Sequence, residues 1–165
     1  MPDLFAPEDL AGLPGAPFDS ELVLQAGEAI RNAAGWHIAP VVTETLEVDS
    51  PGGFNLYLKT KRLTAVSEVR DVTAGTVLTG YTFNRLGRLT RHSGWPSNDH
   101  LLEVDVVHGY AECPAELLRL GASLARGDDS RAIRTESVGP VSVTYESDTA
   151  ARTGGVLDPY MVLSF

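Results

Sequence analysis

Residues 41–110 carry the pattern of β structure, and this span constrains the fold more than any other part of the chain. Val41, Val42, Thr43 and Thr45 are β-branched, a type that packs well on a pleated surface. Ser50-Pro51-Gly52-Gly53 supplies turn chemistry between strands expected at 41–48 and 54–59. A further strand is predicted over 64–72. Shorter ones follow at 76–79, 81–84 and 88–91, punctuated by Gly75, Gly80 and Gly87. The run Leu101–His108 places Leu102, Val104 and Val106 on one face and Glu103 and Asp105 on the other, as a half-exposed strand requires.

Helical periodicity flanks this span. Val23, Ala26, Ile30 and Ala33 recur at spacings of three and four, so a helix is predicted over 20–34, with Asp19 or Ser20 as its cap and Gly35 at its stop. Gly27 weakens that helix by ~1 kcal/mol relative to Ala, and a close helix-to-helix approach would explain it. A second helix is predicted over 114–126, opened by Pro114, closed by Gly127, and apolar through Leu117, Leu118, Gly121, Ala122, Leu124 and Ala125. A polar loop, Gly127 to Arg131, follows it. Val141, Val143 and Tyr145 then alternate with polar residues, which predicts a strand over about 140–147.

Residues 1–18, rich in Pro and Gly, read as an N-terminal arm in which only Pro7 to Leu13 has the makings of a short helix. Residues 148–155 read as a small, polar linker. The expected organisation is an arm at 1–18, a domain at 19–147, and a linker with a terminal docking arm at 148–165. The expected fold class is α+β. Two main helices pack with an antiparallel β region of hairpins, followed by a late strand and a C-terminal arm.

A chain of 165 residues suits a single domain, and at this size roughly 70% of the unfolded chain's surface is buried on folding. The formal net charge is −9, from 22 acidic and 13 basic residues, which argues against gripping nucleic acid through the whole surface. Such a surface suits solubility, and it also suits a path along which DNA slides without sticking. Cys113 is the only cysteine, so no intrachain disulfide is available, consistent with a reducing cytoplasm. The N-terminus lacks the basic region and apolar core of a secretory signal. No apolar run approaches the ~20 residues of a membrane span.

The chain carries neither GxxxxGK[ST], GxGxxG nor GxSxG, and its four histidines form no HxH or HExxH pair. No catalytic residue, cofactor or metal site is expected. His108 reads as a structural hydrogen-bonding residue. Cys113, just before a helix, is formally a candidate nucleophile, although free cysteines more often act as small buried hydrophobes. Two basic clusters stand out: Lys59, Lys61 and Arg62, and then Arg85, Arg88, Arg91 and His92. They are candidates for contact with DNA phosphates or an acidic partner, or are solvated loops. Trp95, in Gly94-Trp95-Pro96, suits either an interface or a core, whereas Trp36 reads as a core anchor. The apolar tail formed by Leu157, Tyr160, Met161, Val162, Leu163 and Phe165 would be a liability if left exposed. It must dock on its own domain, a neighbouring subunit or another protein.

The chain resembles the head-tail connector (adaptor) family of long-tailed bacteriophages, particularly those of actinobacterial hosts. The resemblance begins with the helix ending at Ala29–Ile38. It continues through Pro51-Gly52-Gly53 with Leu56-Tyr57-Leu58, then Leu63–Val69, then Tyr81–Arg91 leading into Gly94-Trp95-Pro96. It closes with the strand from Val104 through His108-Gly109-Tyr110 and Cys113-Pro114 to Leu117. About residues 20–127 are covered. The resemblance implies a non-enzymatic structural role in the virion neck, after assembly in the host cytoplasm. It implies a ring, typically a dodecamer, beneath the portal protein, which extends the DNA channel and recruits the head-completion or stopper protein. Double-stranded DNA would pass through without sequence-specific binding, and acids are expected to dominate the channel wall. Residues 156–165 are then candidates for portal docking, and Lys59, Lys61, Arg62, Arg88, Arg91 and Trp95 for an interface or channel loop. The competing readings are a stopper or tail-terminator ring of the same neck, and a small ligand-binding or enzyme domain of the host.

Overall fold

In a computed structural model, the structure describes residues 1–50, 52–97, 100–127, 135–138, 141–144 and 155–162. The fold is α+β, with two main helices and antiparallel sheets. The chain divides into two compact units, one built from residues 1–35 and 113–161 and the other from 36–112 together with the chain from 162 on.

The first unit carries the two main helices and is called the helical unit below. Helix α1 spans Ser20–Ala34 and helix α2 spans Ala115–Ala125, and the two pack together. Asp19 caps α1 by accepting hydrogen bonds from the backbone N–H groups of Glu21 (2.9 Å) and Leu22 (3.3 Å), and Gly35 ends it in the left-handed region. Val23, Ala26, Ile30 and Ala34 form the buried stripe of α1; Leu117, Ala122 and Ala125 form that of α2. Residues 4–10, expected in an arm, also belong to this core. Leu4, Phe5 and Leu10 are buried, and Pro7–Leu10 forms a 3₁₀ turn. This explains both helix glycines. A Cβ on Gly27 would lie 3.4 Å from the Leu4 Cβ, and one on Gly121 would lie 2.3 Å from the Phe5 Cζ. The close approach is that of the N-terminal segment to each helix, not of helix to helix.

Among its described residues the second unit holds seven strands: β1 Val42–Asp49, β2 Asn55–Tyr57, β3 Leu63–Asp71, β4 Thr76–Val77, β5 Tyr81–Phe83, β6 Arg88–Arg91 and β7 Leu101–His108. One sheet runs β1-β7-β3-β4 and the other β2-β6-β5, with all pairs antiparallel. Ser50–Gly53 therefore carries the chain from one sheet to the other, not around a hairpin. In the first sheet, Val48, Leu102 and Asp71 lie opposite one another, as do Leu46, Val104 and Val69. Leu102, Val104, Val106 and Val69 share one buried cluster with Leu56 and Leu89 of the second sheet. The sheets thus face each other across a common core, and their other faces point away from each other. Burying each of these side chains is worth about 1.5–3 kcal/mol relative to leaving it exposed.

Strands β8 (Thr135–Val138) and β9 (Val141–Thr144) form an antiparallel pair. The strand expected at 140–147 is present as β9, while Tyr145 and most of the expected linker lie outside the described residues. β8 was not expected, because Thr135-Glu136-Ser137-Val138 carries no alternating apolar pattern.

Candidate interaction surfaces

The β unit brings the two basic clusters together. Leu58 N–H donates to the Gly87 carbonyl at 2.8 Å, and Leu63 N–H donates to the Arg85 carbonyl at 2.8 Å. The 58–63 connection is thereby laced to the β5–β6 turn. Gly87 sits at φ +83, and a Cβ there would lie 2.7 Å from the Thr60 carbonyl oxygen, so both the turn and the approach require glycine. From below, His108 holds the connection. Its Nε2 donates to the Glu44 carboxylate at 2.7 Å, and its Nδ1 meets the buried Thr60 hydroxyl at 3.0 Å. Thr60 Oγ1 in turn accepts from the Arg62 N–H at 3.2 Å. His108 is the structural hydrogen-bonding residue that its place at a strand end suggested.

The candidate cations do not share one fate. Lys59, Arg85 and Arg88 are exposed. Lys61 and Arg62 are half-buried, and the Arg62 guanidinium lies over the Tyr110 ring at 5.3 Å from its centre. Arg91 is occupied internally: Nε donates to the Thr79 carbonyl at 3.0 Å and Nη1 to the Gly94 carbonyl at 2.6 Å. Trp95 is 4% exposed and donates from its indole nitrogen to the Phe54 carbonyl at 3.2 Å. It belongs to the core, with Tyr81 and Arg91 beside it, and is not a surface anchor. Trp36 is likewise buried, beside the His108 and Tyr110 rings.

The outward face of the first sheet is acidic. On it, register places Glu47 opposite Glu103, Glu103 opposite Arg70, and Asp105 opposite Glu68, with Asp49 at the end of β1. Arg70 pairs with Glu68 and, at 3.3 Å, with Glu103, which leaves this face with five carboxylates to one guanidinium. The segments 54–62 and 79–94, which build the second sheet and its connections, contain six Lys or Arg and no Asp or Glu. At one end, Asp71 meets His100 at 2.7 Å. Burial works to raise the Asp71 pKa, but the Ala74 N–H and His100 outweigh it and hold the carboxyl below its ordinary value.

Leu157 and Tyr160 of the terminal tail are buried within the helical unit. Tyr160 closes a turn by donating its N–H to the Leu157 carbonyl at 2.7 Å, and its hydroxyl donates to Glu116 of α2. Of the tail's other apolar residues, Met161 is exposed and Val162 half-buried; Leu163 and Phe165 lie outside the described residues. Burial pushes the Cys113 thiol up to about 12, helped by nearby Asp9, so it is protonated and unreactive near neutral pH. Among the described residues no group of three or more His, Cys, Asp or Glu could hold a metal ion, and no helix is long and apolar enough to cross a membrane.

No family model matches the chain, and no curated protein matches it by sequence. A solved structure does. The chain superposes on a chain from the neck of an empty gene transfer agent (GTA) particle, computed with C6 symmetry, with a TM-score of 0.56 and 15% sequence identity. The match covers 99% of this chain and 96% of that one. The two share a fold over both units, not a sequence.

Proposed function

We propose that this chain is a structural ring component of the neck of a tailed-phage-like particle, and that it serves as the adaptor between the portal and the next neck protein. The observation that carries the reading is the end-to-end fold match to a chain of such a neck. A shared fold alone does not fix a role, but the remaining features agree with this one. Among the described residues, the polar groups of the site hold loops in place. Their outcome is two charged surfaces and an anchored tail, the equipment of an assembly protein. C6 symmetry in the related particle is compatible with rings of six copies and of twelve, since a dodecamer contains a sixfold axis.

The tail takes a narrower part than a free arm would. With Leu157 and Tyr160 seated in the helical unit, portal docking falls to residues from Met161 onward. The deciding experiment mixes the protein with portal protein from the same genome and images the product by negative stain. Rings stacked coaxially on the portal are expected, with binding weakened by deletion of residues 161–165. Rings on the tail-tube end instead would make the protein a stopper or tail terminator. Binding to neither would overturn the neck reading.

A further inference from the structure

The outward face of the first sheet is acidic, while Arg88 on the outward face of the second sheet, with Lys59 and Arg85 in its connections, makes that side basic. We propose that the basic face, marked by Lys59, Arg85 and Arg88, docks on the acidic face of a second copy of this chain, marked by Glu47, Asp49 and Glu103. The ring of the proposed function is then closed by this contact, and only the closure rests on that reading; the pairing of faces stands on the surface itself.

Three observations select a second copy over other occupants. First, the charge is sorted by sheet: the exposed cations flank the outward face of one, and five carboxylates lie on the outward face of the other. A merely soluble surface mixes its signs. Second, each face has apolar surface to bury. Tyr57, opposite Arg88 on the basic side, is 52% exposed and Leu86 is 62% exposed, while Ala65, Leu101 and Val107 lie half-buried among the carboxylates. Tyr and Arg are the residue types enriched in protein interfaces. Third, the charge pattern favours one kind of self-association through these faces. A two-fold dimer through either face alone would set like charge on like, whereas face-to-back docking matches opposite signs and leaves the pair as a whole with one free face of each kind. Such a contact repeats around a ring.

A charge swap tests the pairing in purified protein, with portal absent. The wild-type chain is expected to self-associate in low salt and to dissociate as salt rises. Lys59→Glu/Arg88→Glu places acid on acid, and Glu47→Lys/Asp49→Lys places base on base. Each variant alone is expected to associate more weakly by on the order of a hundredfold. Mixed in equal amounts they should regain assembly, because alternating copies restore every contact, and native mass spectrometry should find equal numbers of each. The four positions are exposed, and melting curves check that each variant folds. Should either variant fail to fold, Lys59→Ala/Arg88→Ala and Glu47→Ala/Asp49→Ala should still weaken association by a smaller factor. A wild-type chain that stays monomeric up to millimolar concentration overturns the proposal. So does undiminished assembly of the variants, or loss without rescue in the mixture. Loss of duplex-DNA binding in Lys59→Glu/Arg88→Glu with self-association unchanged would assign the basic face to DNA instead. Failure here with portal binding intact would leave the neck reading standing, and the reverse result would leave the pairing standing without it.

Discussion

The helical unit and the β unit are held together in different ways. In the helical unit, small residues let the chain's own ends come close: Gly121 receives the Phe5 ring, Gly27 receives Leu4, and Tyr160 reaches Glu116. In the β unit, strands distant in sequence meet across one apolar core, and their outward residues divide by charge. The terminal segments thus complete the core of the helical unit. The β unit keeps its polar residues outward, where a partner can read them.

The largest effect is expected from breaking the β core. Leu102→Ala removes a fully buried side chain between β1 and β3 and should destabilise the protein by about 2–5 kcal/mol in chemical denaturation. A loss below 1 kcal/mol would mean that the two sheets do not depend on a shared core.

A smaller effect sharpens the other side of the comparison. Gly121→Ala forces the Phe5 ring to move and should cost about 1–3 kcal/mol, reduced by the ~1 kcal/mol that Ala gains over Gly in a helix. In a Phe5→Ala background the same change should become neutral or stabilising. Equal effects in both backgrounds would show that the N-terminal segment does not lie on Gly121.

The smallest effect is expected at the tail. Tyr160→Phe deletes the hydrogen bond to Glu116 and should cost about 1 kcal/mol at neutral pH. That hydrogen bond, more than any other influence, holds the Glu116 carboxyl below its ordinary value. A depressed carboxylate contributes stability above its unfolded pKa and loses it as pH falls through its folded pKa. The gap between wild type and Tyr160→Phe should therefore be full at neutral pH and shrink on acidification through the lower carboxylate range. A gap independent of pH in paired melting curves would mean that the hydroxyl does not meet Glu116.

Much of the secondary structure was legible because it is written in short-range periods. The cap at Asp19, the stop at Gly35 and the alternation of Leu102, Val104 and Val106 are each set by a few neighbouring residues. β8 escaped because its four residues have no apolar alternation. The tail's apolar residues were visible, but the three possible docking places were not separable, since the choice depends on what faces Tyr160 across the fold. The candidate cations were legible as two clusters. Nothing local indicated that the backbone laces them together, or that Arg91 and Trp95 turn inward while Lys59, Arg85 and Arg88 remain exposed.

The sequence by itself determined two flanking helices, a β-rich middle and the faces of the long strand Leu101–His108, because hydrophobic period, caps and turn residues act over a few positions. Only the tertiary structure decided which strands pair, that Ser50–Gly53 crosses between sheets, and that Glu47, Glu68, Glu103 and Asp105 gather on one face. Strand partnership depends on contacts between residues tens of positions apart, and the sign of a surface is the sum over strands that the chain brings together only when folded.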